Sequence, residues 1–300
     1  MKNLLASGTV ILLLFISLIE GQAQQITSGK SASQTRTLSN FSFIELKMSG
    51  TVYVKQGDQF SVLVEAPAEI INKITTEVFE NTLMIENKNK YTVGITPAIK
   101  IYVSLPKPNG LEVKGSGSII AQTNITTNFL SAVVEGSGGI KLMDVAAGKL
   151  NIQLEGSGGI VQKKATSEST LIEIRGSGGY ECENVTGNLV SVSLDGSGDI
   201  KLSGVAAGKL WMQNNGSGSI RHVNGMASEV LLENNGSGSI SAGDLNGGSI
   251  SAANTGSGDI EVGSSETLNA QLSGSGDIRY HGMPKAMRKD ISGSGNISQN

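Results

Sequence analysis

The triplet Gly-Ser-Gly recurs ten times, at 115–117, 136–138, 156–158, 176–178, 196–198, 216–218, 236–238, 256–258, 274–276 and 293–295, with spacings of 18 to 21 residues. Two residues beyond each triplet stand Ile119, Ile140, Ile160, Tyr180, Ile200, Ile220, Ile240, Ile260, Ile278 and Ile297, nine isoleucines in ten. A fixed period of this kind marks a repeat architecture, in which each unit buries its apolar side only against its neighbours.

The residues before each triplet alternate with period two, as in Leu150-Asn151-Ile152-Gln153-Leu154-Glu155 and Val190-Ser191-Val192-Ser193-Leu194-Asp195. That alternation predicts half-buried strands. A second short alternation follows each triplet, such as Ile140-Lys141-Leu142, and then a glycine-bearing turn such as Ala146-Ala147-Gly148. Each unit reads as strand, turn, strand, turn. No segment after the N-terminal apolar run carries a helical stripe.

Stacking the units at the inter-strand spacing of about 4.8 Å closes a continuous core and aligns equivalent residues into ladders along an edge of roughly 45 Å. The expected fold is all-β: a right-handed parallel β-helix, a pectin-lyase-like solenoid with about 20 residues per coil. Glycine suits its turns because it reaches positive φ and lets backbones approach closely.

Residues 24 to about 110 break the period. Phe43-Ile44-Glu45-Leu46, Val52-Tyr53-Val54, Phe60-Ser61-Val62-Leu63-Val64, Thr82-Leu83-Met84-Ile85 and Ile99-Lys100-Ile101-Tyr102-Val103 read as strands, and Ser49-Gly50-Thr51-Val52 as a degenerate first repeat. The expected organisation is a signal peptide over 1–23, a flexible linker over 24–40, a β-rich N-terminal cap over 41–110 and the repeat β-helix over 111–300. The polar stretch from Asn87 to Tyr91 reads as a loop.

The signal peptide rests on Lys2, the apolar run Leu4 to Ile19 and the small residues of Gly21-Gln22-Ala23, with cleavage before Gln24. A membrane anchor is the alternative, at the short limit of a spanning length and interrupted by Ser7, Gly8 and Ser17. After cleavage no integral membrane segment is expected, and the chain is placed in the periplasm, at the cell surface or outside the cell. The 40 glycines against only 5 prolines fit glycine at recurring structural positions rather than collagen or disorder. A formal charge of −3 with scattered Lys and Arg gives no footprint for nucleic acid. Cys182 is the only cysteine, so no internal disulfide is expected.

Leu154, Ile174 and Leu194 share an inward position that Asn214, Asn234 and Asn254 occupy on the next three coils, a structural ladder of amides. Asp259 and Asp277 each follow a triplet and should lie about 5 Å apart, the separation of a retaining glycosidase pair. Other residues of that ladder are Ser118, Gly139, Ser219, Ser239 and Asn296, so solvated turns or a weak cation site compete with catalysis. His222 shares the inward position of Leu142, Cys182 and Leu202 and reads as a hydrogen-bonded core residue. With two histidines on distant coils, no metal cluster, activated nucleophile or cofactor is expected. The triplets lack the helix and Gly-Lys-Ser/Thr of a phosphate-binding loop. Trp211, the only tryptophan, shares an outward ladder with Leu171, Ser191 and Leu231; such a patch marks a contact surface or packing against a neighbouring molecule.

Phe43-Ile44-Glu45, Gly57 after the Val-Tyr-Val strand, the Gly-Ser-Gly-x-Ile series and the ending from Leu272 to Pro284 are together similar to the "putative auto-transporter adhesin, head GIN domain" family of Bacteroidetes-type bacteria, over roughly residues 40 to 298. The resemblance implies a β-helix like that of pectin lyases but without their catalytic residues, and an adhesion role with no defined ligand. This chain has more coils in strict register than the family pattern implies. The function expected is non-catalytic: an exported binding or scaffold protein presenting a rigid surface to a glycan, a protein or the cell envelope. A polysaccharide-active enzyme using a groove along the β-helix, or a structural or envelope-stress component, are the alternatives. The sequence sets no oligomeric state.

Overall fold

The structure is a computed structural model that describes residues 30–87 and 99–300. The expected signal peptide over 1–23 and most of the expected loop after Asn87 lie outside the described residues. Among the described residues, 24 strands join in one hydrogen-bonded sheet, and the helical element is a single 3-10 turn at Ile71–Lys73.

The sheet is wound into a β-solenoid whose coils stack in parallel, about twenty residues apart. The isoleucine ladder runs through it unbroken: Ile101, Val52, Ile119, Ile140, Ile160, Tyr180, Ile200, Ile220, Ile240, Ile260, Ile278 and Ile297 pair rung to rung. None of these side chains is more than 4% exposed. Full burial of a side chain of this size contributes about 1.5–3 kcal/mol, so the ladder is the main spine of stability.

The N-terminal end is built out of chain order. β1 (Ser31–Arg36), β2 (Phe43–Leu46), β3 (Thr51–Gln56), β4 (Ser61–Pro67), β5 (Ile74–Phe79), β6 (Thr82–Asn87) and β7 (Lys100–Leu105) precede the regular repeats. β2 lies in parallel between β6 and β8 (Gly110–Gly115), and β3 between β7 and β9 (Ser118–Ala121). Parallel stacking therefore starts inside the segment expected as a cap. Ser49 and Gly50 act as a true first turn: Gly50 has φ +151° and the Ser49 hydroxyl lies 2.9 Å from that of Ser116. Beyond β6 and β7 the pairing turns antiparallel, with β5 on β6, β4 on β7 and β1 on β4. The β5–β6 hairpin turns on Glu80 and Asn81, both at positive φ, as a two-residue turn of the primed type requires.

Within the stretch expected as a flexible linker, 24–40, the described residues Ser31–Arg36 form β1 instead. Ser31–Arg36 has no β-branched or aromatic run, but it completes the open edge of β4, and Arg36 donates to the carbonyls of Ile71 and Ile74. The strand is imposed by that edge rather than by its own propensity.

In the regular coils, β10 (Ile125–Gly136) is followed by β11 (Gly139–Gly156), β12 (Gly159–Gly176) and β13 (Gly179–Gly196), each of these three 18 residues long. The turn expected at Ala146-Ala147-Gly148 is absorbed into β11, because Ala146 and Ala147 pair with Thr166 and Ser167 of the next coil. From Ile200 onward a short strand such as Ile200–Leu202 is separated from a longer one such as Val205–Asn214, and the expected strand-turn-strand-turn reading applies.

The backbone of the Gly-Ser-Gly turns is held along the axis by the preceding coil. Ser157 and Gly158 both donate their N–H groups to the carbonyl of Gly136 on the preceding coil, at 2.9 Å each. Gly156 sits at φ +118°, where an L side chain is strained. A Cβ on Gly218 would overlap the carbonyl oxygen of Gly198 directly below it, so the third position excludes even alanine.

The core departs from pure hydrocarbon on one coil. Tyr180 replaces isoleucine, and its hydroxyl donates at 2.9 Å to Gln162 Oε1, buried on the preceding coil. That coil turns small residues inward, Ala165 among them, with Ser167 and Thr170 sharing a hydrogen bond of 2.6 Å. The larger ring and the smaller neighbours compensate in volume.

Candidate binding face

Trp211 lies on Val205–Asn214 between Leu210 and Met212, which are fully buried, so the strand alternation forces its indole outward. It pairs with Ser191 on one side and Leu231 on the other, and Ser191 pairs with Leu171. Trp211 is 38% exposed and Leu171 36%, while Leu231 is half-buried. The structure brings all three sequence-identified residues onto one face. It adds Leu189, exposed on the diagonal from Trp211 beside Lys209.

The ladder continues beyond Leu231 through Ser251, Asn269 and Arg288. Here the face hollows into a groove of about 420 Å³, with Leu231 and Ser251 at one end and Asn269 and Arg288 at the other. Outward residues of adjacent coils are some twenty positions apart in sequence, and only stacking reveals their continuity. Polar pairs fix its flanks: Lys209 Nζ lies 2.7 Å from Glu229 Oε1, and Gln213 donates to Glu233 at 3.2 Å. Arg288 is exposed and takes no ion-pair partner among the described residues.

Asp259 and Asp277 stand on adjacent coils at the far flank of the triplet turns, with Asp199 as an earlier member of the same ladder. Their carboxylates are committed to the scaffold. Asp259 Oδ1 accepts from the N–H of Asp277, and Asp277 Oδ1 from the N–H of Asn296, both at 2.9 Å. The other oxygens share one guanidinium: Arg279 Nη1 lies 2.9 Å from Asp259 Oδ2 and Nη2 3.0 Å from Asp277 Oδ2. The Asp259 carboxylate, then Asp277, raises the Arg279 pKa above its ordinary value. With every carboxylate oxygen accepting a hydrogen bond, the protein's own cation occupies the place of an external one. The same logic runs down the ladder, where Asp199 accepts from Ser219 N–H, Ser219 from Ser239 N–H and Ser239 from Asp259 N–H.

Asn214, Asn234 and Asn254 are fully buried. Asn214 and Asn254 close their own turns, each accepting from the first glycine N–H of the triplet and donating to the last glycine's carbonyl. Asn234 instead bonds along the axis, donating to Asn254 Oδ1 at 3.3 Å and to Gly258 O at 3.0 Å. These amides support the turns that carry the outer face.

His222 corrects the expectation of a core histidine. It adopts φ +57° and is exposed, and Val223 takes the inward position instead, 2% exposed. The left-handed backbone at His222 passes the inward position on to Val223, so the alternation slips locally, and the register with the preceding coil is regained at Gly225 opposite Val205. His222 and His281 line one shallow groove with Asp244 and Glu261, and His281 Nε2 lies 2.9 Å from Glu261 Oε1. Among the described residues no three His, Cys, Asp or Glu side chains are placed to share a metal ion. Cys182 is buried; desolvation raises its pKa, and its thiol donates to the Asn184 carbonyl at 3.2 Å. Among the described residues no helix is long and apolar enough to cross a membrane.

A family model described as "Putative auto-transporter adhesin, head GIN domain" matches residues 40–203 and 167–284. Three solved structures are similar over most of their length. A "putative adhesin" from Parabacteroides distasonis is 21% identical with a TM-score of 0.56, covering 91% of this chain and 98% of its own. A "Putative lipid binding protein" from the same species is 24% identical with a TM-score of 0.48, covering 91% and 97%. A "putative adhesin" from Parabacteroides merdae is 16% identical with a TM-score of 0.49, covering 91% and 97%. At these identities the first of them shows a shared fold. No curated protein matches the chain.

Proposed function

The chain belongs to the "putative auto-transporter adhesin, head GIN domain" family, and we propose that it is an exported, non-catalytic adhesin-like protein whose rigid solenoid presents the Trp211 face to a surface molecule. Export is supported by Lys2 and the apolar run from Leu4 to Ile19. The observation that carries the binding role is the exposure of Trp211 and Leu171 on a face whose backbone is locked on both sides by parallel pairing. Aromatic side chains on rigid elements are the usual anchors of recognition, because little conformational freedom is lost when they are covered. The carboxylates best spaced for catalysis are tied to Arg279 and to backbone N–H groups, which supports a non-enzymatic reading.

The test is adhesion of beads carrying the purified protein to mucin-coated and to bare surfaces. Adhesion to the coated surface that falls at least tenfold in Trp211→Ala, with the unfolding midpoint unchanged, supports the reading. Equal adhesion by the parent and Trp211→Ala contradicts it.

A further inference from the structure

Resting on that reading, we propose that the face binds an acidic oligosaccharide, lying along the solenoid axis from Trp211 to Arg288 with a sugar carboxylate on the guanidinium.

Three features point to this class of ligand. The first is the change of character along one ladder. Trp211 and Leu231 form an apolar platform on which the C–H face of a sugar ring can stack, and the groove beyond exposes Ser251, Thr267 and Asn269. Hydroxyl and amide groups on a floor of this kind match a ligand rich in hydroxyls, whereas an apolar peptide or acyl chain would desolvate them without return.

The second feature is charge. The protein carries a formal −3, yet of the two charged residues lining the groove, Glu229 is neutralised by Lys209 at 2.7 Å and Arg288 takes no ion-pair partner among the described residues. Nearby cations are otherwise engaged: Lys285 pairs with Glu266 at 3.3 Å, and Lys289 turns inward to the Ile297 carbonyl. Asp290 stands two positions on along the same strand but does not line the groove, so Arg288 is the unpaired charge of the lining itself, and a guanidinium fork is shaped to hold a carboxylate through two hydrogen bonds.

The third feature is size. The volume of about 420 Å³ falls in the range of small-ligand sites. Four coil steps separate Trp211 from Arg288, roughly 19 Å at the spacing of parallel strands. That span takes several sugar rings in a row.

Trp211 is the only tryptophan, so tryptophan emission, excited at a wavelength where the five tyrosines do not absorb, reports on this site alone. The experiment titrates the full protein with tetragalacturonate, and with the same oligosaccharide methyl-esterified, which keeps the rings and removes the charge. The expected result is saturable quenching or a blue shift with tetragalacturonate, at least tenfold weaker with the ester and at least tenfold weaker in Arg288→Gln. An independent calorimetric titration of Trp211→Phe should show weakened binding of both ligands. No saturable response to tetragalacturonate, equal binding of the ester, or unchanged affinity in Arg288→Gln overturns the proposal. Its failure is separable from that of the adhesion reading: Trp211-dependent bead adhesion without tetragalacturonate binding removes the acidic-glycan assignment and leaves the binding face.

Discussion

Lys289 Nζ stands 4.8 Å from the centre of the Tyr280 ring and donates to its hydroxyl at 3.3 Å and to the Ile297 carbonyl at 3.1 Å. Lys289 continues the inward ladder of Ile152, Ile172, Val192, Met212, Leu232, Ala252 and Ala270, so a lysine stands where every rung below is apolar. Its stem extends the core and its ammonium covers the open end. A charge turned inward on Ala286–Ile291, the last rung of this ladder among the described residues, opposes the stacking of a further coil, which would have to desolvate it.

Lys289→Leu should therefore expose a dry end face and promote association. Light scattering after size exclusion should show a larger, concentration-dependent species than the parent at equal concentration; an unchanged mass would assign the lysine no role at that end.

Tyr180→Phe keeps the ring and removes the donor to Gln162 Oε1. An orphaned buried amide costs about 1–3 kcal/mol, read as a lower urea midpoint with unchanged slope. Tyr180→Ile restores the repeat's own residue, yet it should cost more than Tyr180→Phe, because it adds a cavity beside Gln162 to the same orphan. If isoleucine stabilises the protein, the compensation between these coils is wrong.

Gly218→Ala should destabilise by about 1–3 kcal/mol or more, since the new methyl meets the Gly198 carbonyl and the coil spacing cannot widen locally. Ser217→Ala, on the exposed tip of the same turn, should lie within about 0.5 kcal/mol of the parent. Thermal unfolding of the two variants compares them directly.

Glu45 is nearly buried at the N-terminal end, 2.8 Å from Lys47 and 2.9 Å from Lys114. Burial opposes its ionisation, but hydrogen bonds and charge from both lysines outweigh that and hold its carboxyl below the ordinary value of 4.5. The Glu45 hydrogen bond in turn raises the Lys114 pKa. A carboxyl with a depressed folded pKa adds stability that is fully present above its unfolded pKa and is lost as the pH falls through the folded one. Glu45→Gln should lower the unfolding midpoint at neutral pH and flatten its decline between roughly pH 5 and pH 3. A decline identical to the parent's would show that other carboxyls set the acid response.

The fold was legible because one position, the isoleucine after each triplet, repeats its chemistry while its neighbours vary. What escaped the reading shares a physical cause: it depends on contacts that the period does not encode. β1 forms because β4 leaves an edge, although Ser31–Arg36 carries little strand propensity. His222 turned outward through a left-handed residue that leaves the 20-residue spacing of its triplets intact, so no change in length betrayed it. The Trp211, Leu171 and Leu231 patch is visible in the sequence as an apolar ladder, whereas its extension through Ser251, Asn269 and Arg288 is polar and carries no apolar signal. Asp259 and Asp277 were correctly placed as neighbours, and Arg279, two positions beyond Asp277, was the overlooked signal that they are bridged.

Every ladder, and with it the binding face, depends on residues twenty apart lying one above the other. Thr166 and Thr186 are exposed partners on adjacent coils, so a Thr166→Cys/Thr186→Cys variant tests this directly under mild oxidation. The expected result is a disulfide between the two introduced cysteines, identified by peptide mapping, with none in a Thr166→Cys/Asp195→Cys control. A folded protein in which the first pair stays reduced, or in which the control pair links instead, would contradict the stacked register.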